Sequence, residues 1–201
     1  DPSSPLGAVQ NELPVLAGSD LIAVLDRAYE PLRLEAVLAL EESQLERVWQ
    51  LWTPNKALAL TGVRGAYAIA PLNSEDAVAA LDALAPSWVI GAHGVAMLHA
   101  WCEPAVQQWL AASRAILRKW KDRQIELCTA MGWTVMPSQT NFFVCDLGRP
   151  ISEVTRTLAA LRAGGVRLRD CASFGLPGHV RLSVQPPAAQ DALRQTWEQI
   201  S

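Results

Sequence analysis

The stretch from Leu51 to Pro71 constrains the fold more than any other, because it sets a lysine inside an apolar run. Lys56 lies among Leu, Ala, Trp and Tyr residues with no acidic neighbour. If the run enters a core, the ammonium must be desolvated or used chemically, since an unpaired buried charge is costly. Burial favours the neutral amine, a nucleophile that condenses with an aldehyde. Eight residues on, Arg64 stands within Gly62-Val63-Arg64-Gly65, where small residues let a ligand approach the backbone and the guanidinium offers a fork for phosphate. The pair describes a pocket for a molecule that carries both an aldehyde and a phosphate. A plainer reading stands beside it, in which Lys56 snorkels to the surface and Arg64 meets a carbonyl or a surface carboxylate.

Upstream, Asp20 to Asp26 is a continuous aliphatic run that ends in a carboxylate. Without alternation it reads as a central strand of a parallel sheet, buried on both faces. Ligands of open α/β sheets sit at the carboxyl ends of strands, which puts Asp26 where chemistry usually happens. Read alone, Asp26 equally suits a helix cap or a loop carboxylate. Residues 34–46 carry a helical pattern, Val48 to Thr53 reads as a strand leading to Lys56, and Arg64 to Ala70 reads as another. Ser74 then caps a helix to Leu84, with Glu75 and Asp76 in its first turn, and Pro86-Ser87-Trp88 breaks the chain.

Three motifs in this order carry a resemblance to a known family. Thr53-x-x-Lys56 followed by Leu60-Thr61-Gly62-Val63-Arg64, Asp26-Arg27-Ala28-Tyr29, and Gly175-Leu176-Pro177 running on to Arg181 together resemble class I/II, fold type I pyridoxal phosphate enzymes. The likeness is to histidinol-phosphate aminotransferases in particular. It implies that Lys56 is the Schiff-base lysine and that Thr53 and Arg64 contact the phosphate of pyridoxal 5′-phosphate. Asp26 would pair with the pyridine nitrogen, Tyr29 would bond the phenolic oxygen, and Arg181 would clamp the carboxylate of an amino-acid substrate. The opening Asp1-Pro2-Ser3-Ser4-Pro5-Leu6-Gly7 resembles an asparagine-rich loop of the family, with Ser4 where an asparagine would meet the phenolic oxygen; on composition it is also an ordinary surface turn. A further departure is Pro54-Asn55, since the family commonly has a small hydroxyl residue next to the lysine.

Composition limits the other function classes. The 201 residues suffice for one large or two small domains, and a net charge of −3 without a basic block gives no reason to expect nucleic acid or an acidic membrane as partner. No apolar run reaches the length of a bilayer span, and the reading is a soluble, cytoplasmic protein. Cys102, Cys128, Cys145 and Cys171 lack any paired spacing, and His93, His99 and His179 are scattered, so buried reduced thiols are expected and no metal site.

From Gly91 to Met131 the pattern is helical, with Trp101, Trp109 and Trp120 read as packing residues and Lys119, Lys121 and Arg123 as a solvated face. Beyond Gly132 strands and helices mix: strands at Trp133 to Met136, Asn141 to Leu147, Val166 to Arg169 and His179 to Val184, helices from Ile151 to Ala163 and from Pro187. Arg181, in an otherwise apolar strand, wants a carboxylate partner, which from the strand alone is a structural ion pair.

The expectation is an α/β chain. Residues 1–98 form the carboxyl-terminal part of a large pyridoxal phosphate-binding domain with a mixed, mostly parallel sheet. Residues 99–201 form an interdomain helix and a small α+β domain. By resemblance the chain is the carboxyl-terminal part of a larger aminotransferase that acts on a small-molecule amino acid and a 2-oxo acid, as a homodimer. Arg169 to Phe174 also resembles the corresponding segment of threonine-phosphate decarboxylases, and a non-catalytic binding or dimerisation remnant is the reading from another class.

Overall fold

Alternation decides which way the second half of the chain faces. In β5 (Phe142–Asp146) and β7 (His179–Ser183), Phe143, Cys145, Val180 and Leu182 are buried while the residues between them are only half-buried or exposed. A computed structural model describes residues 22–36 and 40–200; Ser4 and the rest of the opening loop lie outside them. The two strands pair antiparallel in the order β4-β5-β7-β6, flanked by β4 (Thr134–Val135) and β6 (Arg169–Asp170). Helices α4 (Pro104–Ala130), α5 (Ile151–Ala163) and α6 (Pro187–Ile200) supply the rest of one core, in which Cys128, Leu161, Leu193 and Trp197 meet the inward strand residues. Trp133 packs edge-on against Trp197 with ring centroids 4.9 Å apart.

The first half builds a smaller sheet. β1 (Val24–Asp26) runs parallel to β2 (Trp49–Trp52), which pairs antiparallel with β3 (Tyr67–Ile69). A one-turn helix α1 (Glu42–Leu45), α2 (Glu75–Leu84) and α3 (Ala92–Trp101) complete it. The chain divides into two compact units: residues 22–32 and 40–110 belong to one, residues 33–36 and 111–200 to the other.

Several expectations fail for identifiable reasons. β1 lies at the edge of the described sheet, and Ile22 and Val24 are 77% and 56% exposed, so it is not a strand buried on both faces. Residues 34–46 do not form one helix. The Leu34 and Glu35 amides donate to the Gln139 carbonyl, at 2.7 and 3.3 Å, and Ala36 is left-handed at φ +57°, so among the described residues of the stretch only α1 is helical. Ser74 precedes α2, yet its hydroxyl donates to the Pro71 carbonyl and makes no side-chain cap. Residues 166–168 stay outside β6, although Val166 and Leu168 still pack on the core.

Trp109 is 51% exposed, whereas Trp120 borders the core. Cys102 is exposed; the other three thiols are free and buried. A hydrogen bond with Cys128 and then burial hold the Cys145 thiol well above the ordinary range, and burial raises Cys171.

Lys121 is the largest departure. It is 1% exposed, its ammonium donating to Glu35 Oε1 at 2.6 Å and to the Ser138 carbonyl. Arg123, beside it, donates to Gln190 and Asp191, each at 2.6 Å. Lys119 is exposed as expected, whereas Lys121 and Arg123 carry polar joints of the second unit. Glu35 is itself 52% exposed, so its removal strips the buried ammonium of its counter-charge and leaves it the Ser138 carbonyl, whereas an apolar replacement of Lys121 of similar volume strands no charge. Glu35→Ala should then lower unfolding free energy by about 2–3 kcal/mol and Lys121→Met by about 1 kcal/mol or less, an order that urea titration checks.

Candidate functional site

Parallel pairing of β1 with β2 matches Asp26 to Leu51, so both strands end at the same edge of the sheet. Because β3 is antiparallel, with Tyr67 opposite Trp52, the residues just before it also reach that edge. One row of strand termini thus gathers Asp26 and Tyr29 after β1, Thr53 and Lys56 after β2, and Arg64 before β3. This is the edge at which open α/β sheets hold ligands.

Each position has a local cause. Asp26 Oδ1 accepts from the Ala28 amide at 2.9 Å, which turns the chain out of β1; the Glu30 and Leu32 amides then donate to the Arg27 and Tyr29 carbonyls, each at 3.0 Å, closing a short 3-10 turn. Arg27 is braced by Gln50 Oε1 at 2.8 Å and by the Trp52 ring, 4.2 Å from its guanidinium carbon. Tyr29 in turn offers its ring to Lys56, whose Nζ lies 4.3 Å from the ring centroid. A cation over an aromatic face keeps part of its stabilisation when water is removed. Lys56 is half-buried and not fully desolvated.

Lys56 sits in one tight turn. Pro54 fixes φ at its entry, and the Pro54 carbonyl accepts from Leu58 at 2.9 Å. The Leu60 and Ala59 amides donate back to the Asn55 and Lys56 carbonyls at 2.7 and 3.3 Å. That double closure places its fifth residue in the left-handed region, normally a glycine, and here Ala59 takes it at φ +55°. An alanine there costs about 1 kcal/mol, so the surrounding bonds must hold the turn.

Thr53 Oγ1 donates to the Gly65 carbonyl at 2.7 Å. Asn55 is 8% exposed and donates to the Val63 carbonyl at 3.4 Å, while its Oδ1 has no hydrogen-bond partner among the described residues. The Arg64 side chain is exposed, but its backbone is confined: a Cβ added at Gly94 of α3 would come within 2.5 Å of the Arg64 carbonyl oxygen. An amine, a carboxylate, a phenol, a threonine hydroxyl and a guanidinium therefore stand along one sheet edge.

Arg181 belongs to the other unit. It projects from the outer face of β7, half-buried, with its guanidinium carbon 5.1 and 5.5 Å from the Phe142 and Phe174 ring centroids. Register pairing sets Arg169 of β6 directly opposite it, 5.3 Å from the Phe174 centroid and bonded to Ser173 Oγ at 3.2 Å. Like charges facing each other across a ladder destabilise it. No carboxylate among the described residues forms an ion pair with either arginine. Among the described residues Arg181 therefore lacks the structural ion pair read from the strand alone. The two forks offer an anion site that the sequence reading assigned to one residue. A signal for Arg169 exists only once the register of β6 on β7 is known.

Among the described residues no cluster of His, Cys, Asp and Glu side chains is arranged to hold a metal ion, and no helix is long and apolar enough to cross a membrane.

The sequence model described as aminotransferase class I and II matches residues 2–199. The chain is 30% identical to the histidinol-phosphate aminotransferase of Haloferax volcanii, over 99% of its own length and 54% of that protein's. With the corresponding protein of Symbiobacterium thermophilum it shares 40% identity over 37% of this chain and 20% of that one. Among solved structures it is similar to the histidinol-phosphate aminotransferase of Sinorhizobium meliloti in complex with pyridoxal-5′-phosphate, with a TM-score of 0.79 at 22% identity over 100% of this chain and 57% of that one. The N-succinyldiaminopimelate aminotransferase of Mycobacterium tuberculosis gives a TM-score of 0.73 at 25% identity, over 100% of this chain and 57% of that one. The fold is that of fold type I aminotransferases, and the chain spans about half the length of these relatives where it matches end to end.

Gly94 offers a test of how tightly the Arg64 peptide is held. A methyl group 2.5 Å from a carbonyl oxygen forces backbone to move, so Gly94→Ala should cost about 1–3 kcal/mol of stability in denaturant unfolding.

Proposed function

The chain belongs to the aminotransferase class I and II family, and from that premise we propose that the protein is a pyridoxal phosphate-dependent transaminase. It would transfer an amino group between an amino acid, or an amino-alcohol phosphate, and a 2-oxo acid. The observation that carries this reading is the gathering of Lys56, Tyr29, Asp26, Thr53 and Arg64 at one sheet edge. The donor set fits the cofactor: the amine matches its aldehyde, the carboxylate its ring nitrogen, the phenol its phenolic oxygen, and the guanidinium its phosphate. When bound, the cofactor serves as an electron sink for charge that develops on the substrate's α-carbon.

The chain's own residues supply the rest. Lys56 would hold the cofactor at its aldehyde, and its Nζ would act as general base toward the substrate's α-carbon and as general acid toward the former aldehyde carbon. Asp26 holds a proton on the ring nitrogen, which keeps the ring electron-poor. Arg64 anchors the phosphate by its fork. Thr53 has already committed its proton to the Gly65 carbonyl, so toward a phosphate its hydroxyl has no second proton to give, and its part is to hold the Arg64 turn. Arg181 and Arg169 receive the substrate's anionic groups, flanked by the Phe142 and Phe174 rings. We place the protein in the cytoplasm as a homodimer, on the family's pattern.

A second reading, threonine-phosphate decarboxylation, is favoured by the arginine pair, because that substrate carries both a carboxylate and a phosphate. The two part at one bond: transamination removes a proton from the α-carbon, decarboxylation removes CO₂.

Incubation of the purified protein with candidate amino acids and amino-alcohol phosphates should yield the oxo product in step with conversion of a 2-oxo acid to its amino acid, without CO₂. Stoichiometric CO₂ would select the second reading. Borohydride should fix the cofactor on Lys56 and leave Lys56→Ala unlabelled; a protein that takes up no cofactor would be a binding remnant. Arg181→Lys keeps the charge but loses the fork, and should weaken kcat/KM by about tenfold or more.

A further inference from the structure

The two carbonyls that flank Arg64 are each held by a side chain of the lysine turn. Thr53 Oγ1 donates to Gly65 and Asn55 Nδ2 to Val63, at 2.7 and 3.4 Å. Between them the Arg64 carbonyl rests against Gly94 where any side chain would collide. Three successive peptide groups are thus confined, two of them by the segment that carries Lys56.

Asn55 is the member of this arrangement that the family pattern does not account for. A small hydroxyl residue is common at that position, and its oxygen sits one bond from Cβ, too short for the reach of an amide. The side chain is 8% exposed and its Oδ1 has no hydrogen-bond partner among the described residues. Leaving a buried acceptor unmet is unfavourable. An apolar residue of the same shape would avoid that cost and lose only the Nδ2 donor. The donor's target is the peptide that leads into Arg64.

Resting on the reading above, we infer that Asn55 is a positioning residue: by tying the lysine turn to the Val63 carbonyl it sets the span between the Lys56 amine and the Arg64 guanidinium. A ligand bearing an aldehyde and a phosphate then meets both groups at once, while a ligand with the aldehyde alone gains nothing from the tie. The role is selective for the phosphate although Asn55 itself need not touch it. The acceptor Oδ1 is unsuited to a phosphate oxygen, which also accepts.

Affinities of the purified, complete protein for pyridoxal phosphate and for pyridoxal, which has the same ring and aldehyde but no phosphate, test this. Asn55→Ala should weaken pyridoxal phosphate about three- to tenfold, the worth of one hydrogen bond, and leave pyridoxal within about twofold. In the cofactor-free protein, amide exchange at residues 63–65 should quicken. Asn55→Leu, which fills the same space without a donor, should behave alike and guards against a variant that merely collapses. Arg64→Ala should show the same selective loss, and the double variant should fall short of the product of the two, since both act through one contact. Equal weakening of both ligands, an unchanged ratio, or fully multiplicative losses would overturn the inference. Wild-type protein that borohydride links to neither ligand would overturn the parent reading and this one with it; wild-type protein that links normally while Asn55→Ala keeps its ratio would overturn this one alone.

Discussion

The parallel pairing of β1 with β2 is the constraint on which the first unit's chemistry depends. Three register pairs, ending at Asp26 opposite Leu51, bring two chain segments about two dozen residues apart to a common edge. Parallel strands exit on the same side, so the turn after one faces the turn after the other; an antiparallel pairing would have sent Asp26 and Lys56 to opposite ends. The Arg27 amide prolongs the pairing by donating to Leu51 O at 2.8 Å, and the Trp49 amide anchors its start on Ala23 O at 3.0 Å. The side chains that follow are then arranged by short-range geometry. The Asp26 carboxylate bends the chain so that Tyr29 faces the lysine, and Pro54 with left-handed Ala59 makes a turn tight enough to present Lys56 toward it.

A different economy governs the second unit. Its sheet buries one face against three helices and keeps two arginines on the other, so its core tolerates the charge repulsion without participating in it. Phe142 and Phe174 lie against the guanidinium planes and moderate the exposure of charge, as aromatic faces do for cations. The same unit takes residues 33–36, four residues away from the Asp26–Tyr29 segment, by burying an ammonium beneath them. A fully buried lysine is tolerable only with charge and hydrogen bonds both satisfied, and Glu35 and the Ser138 carbonyl supply these.

What the sequence disclosed depended on how local its causes were. The helix Ile151–Ala163 emerged with its predicted ends because apolar spacing and the Gly164-Gly165 stop act within one element. The strands read at Asn141 to Leu147 and His179 to Val184 form at Phe142–Asp146 and His179–Ser183, where burial on one face leaves a period of two. Lys56 and Asp26 were visible as chemically odd residues at strand ends. Residues 34–46 misled because the groups that divert them, the Gln139 carbonyl and the Arg118 and Lys121 side chains, lie about a hundred residues downstream. Lys121 looked like one more solvated charge for the same reason, as its acidic partner is nowhere near it in the chain. Arg169 went unassigned because only strand register makes it the neighbour of Arg181.

The departure at Pro54-Asn55 illustrates how a local oddity acquires meaning only in three dimensions. In one dimension it looks like the loss of a hydroxyl beside the lysine, hence a weaker anion contact. In the folded chain the proline shapes the turn, and the amide reaches across to the strand that carries the guanidinium, alongside the Thr53 bond to Gly65. The two links run in the same direction, from the amine's segment to the arginine's, so stretching either separates the two charges that a phosphorylated aldehyde would have to bridge. The Arg64 backbone is thereby a fixed point from which its exposed side chain reaches, confined by Thr53 and Asn55 on the lysine's segment and by Gly94.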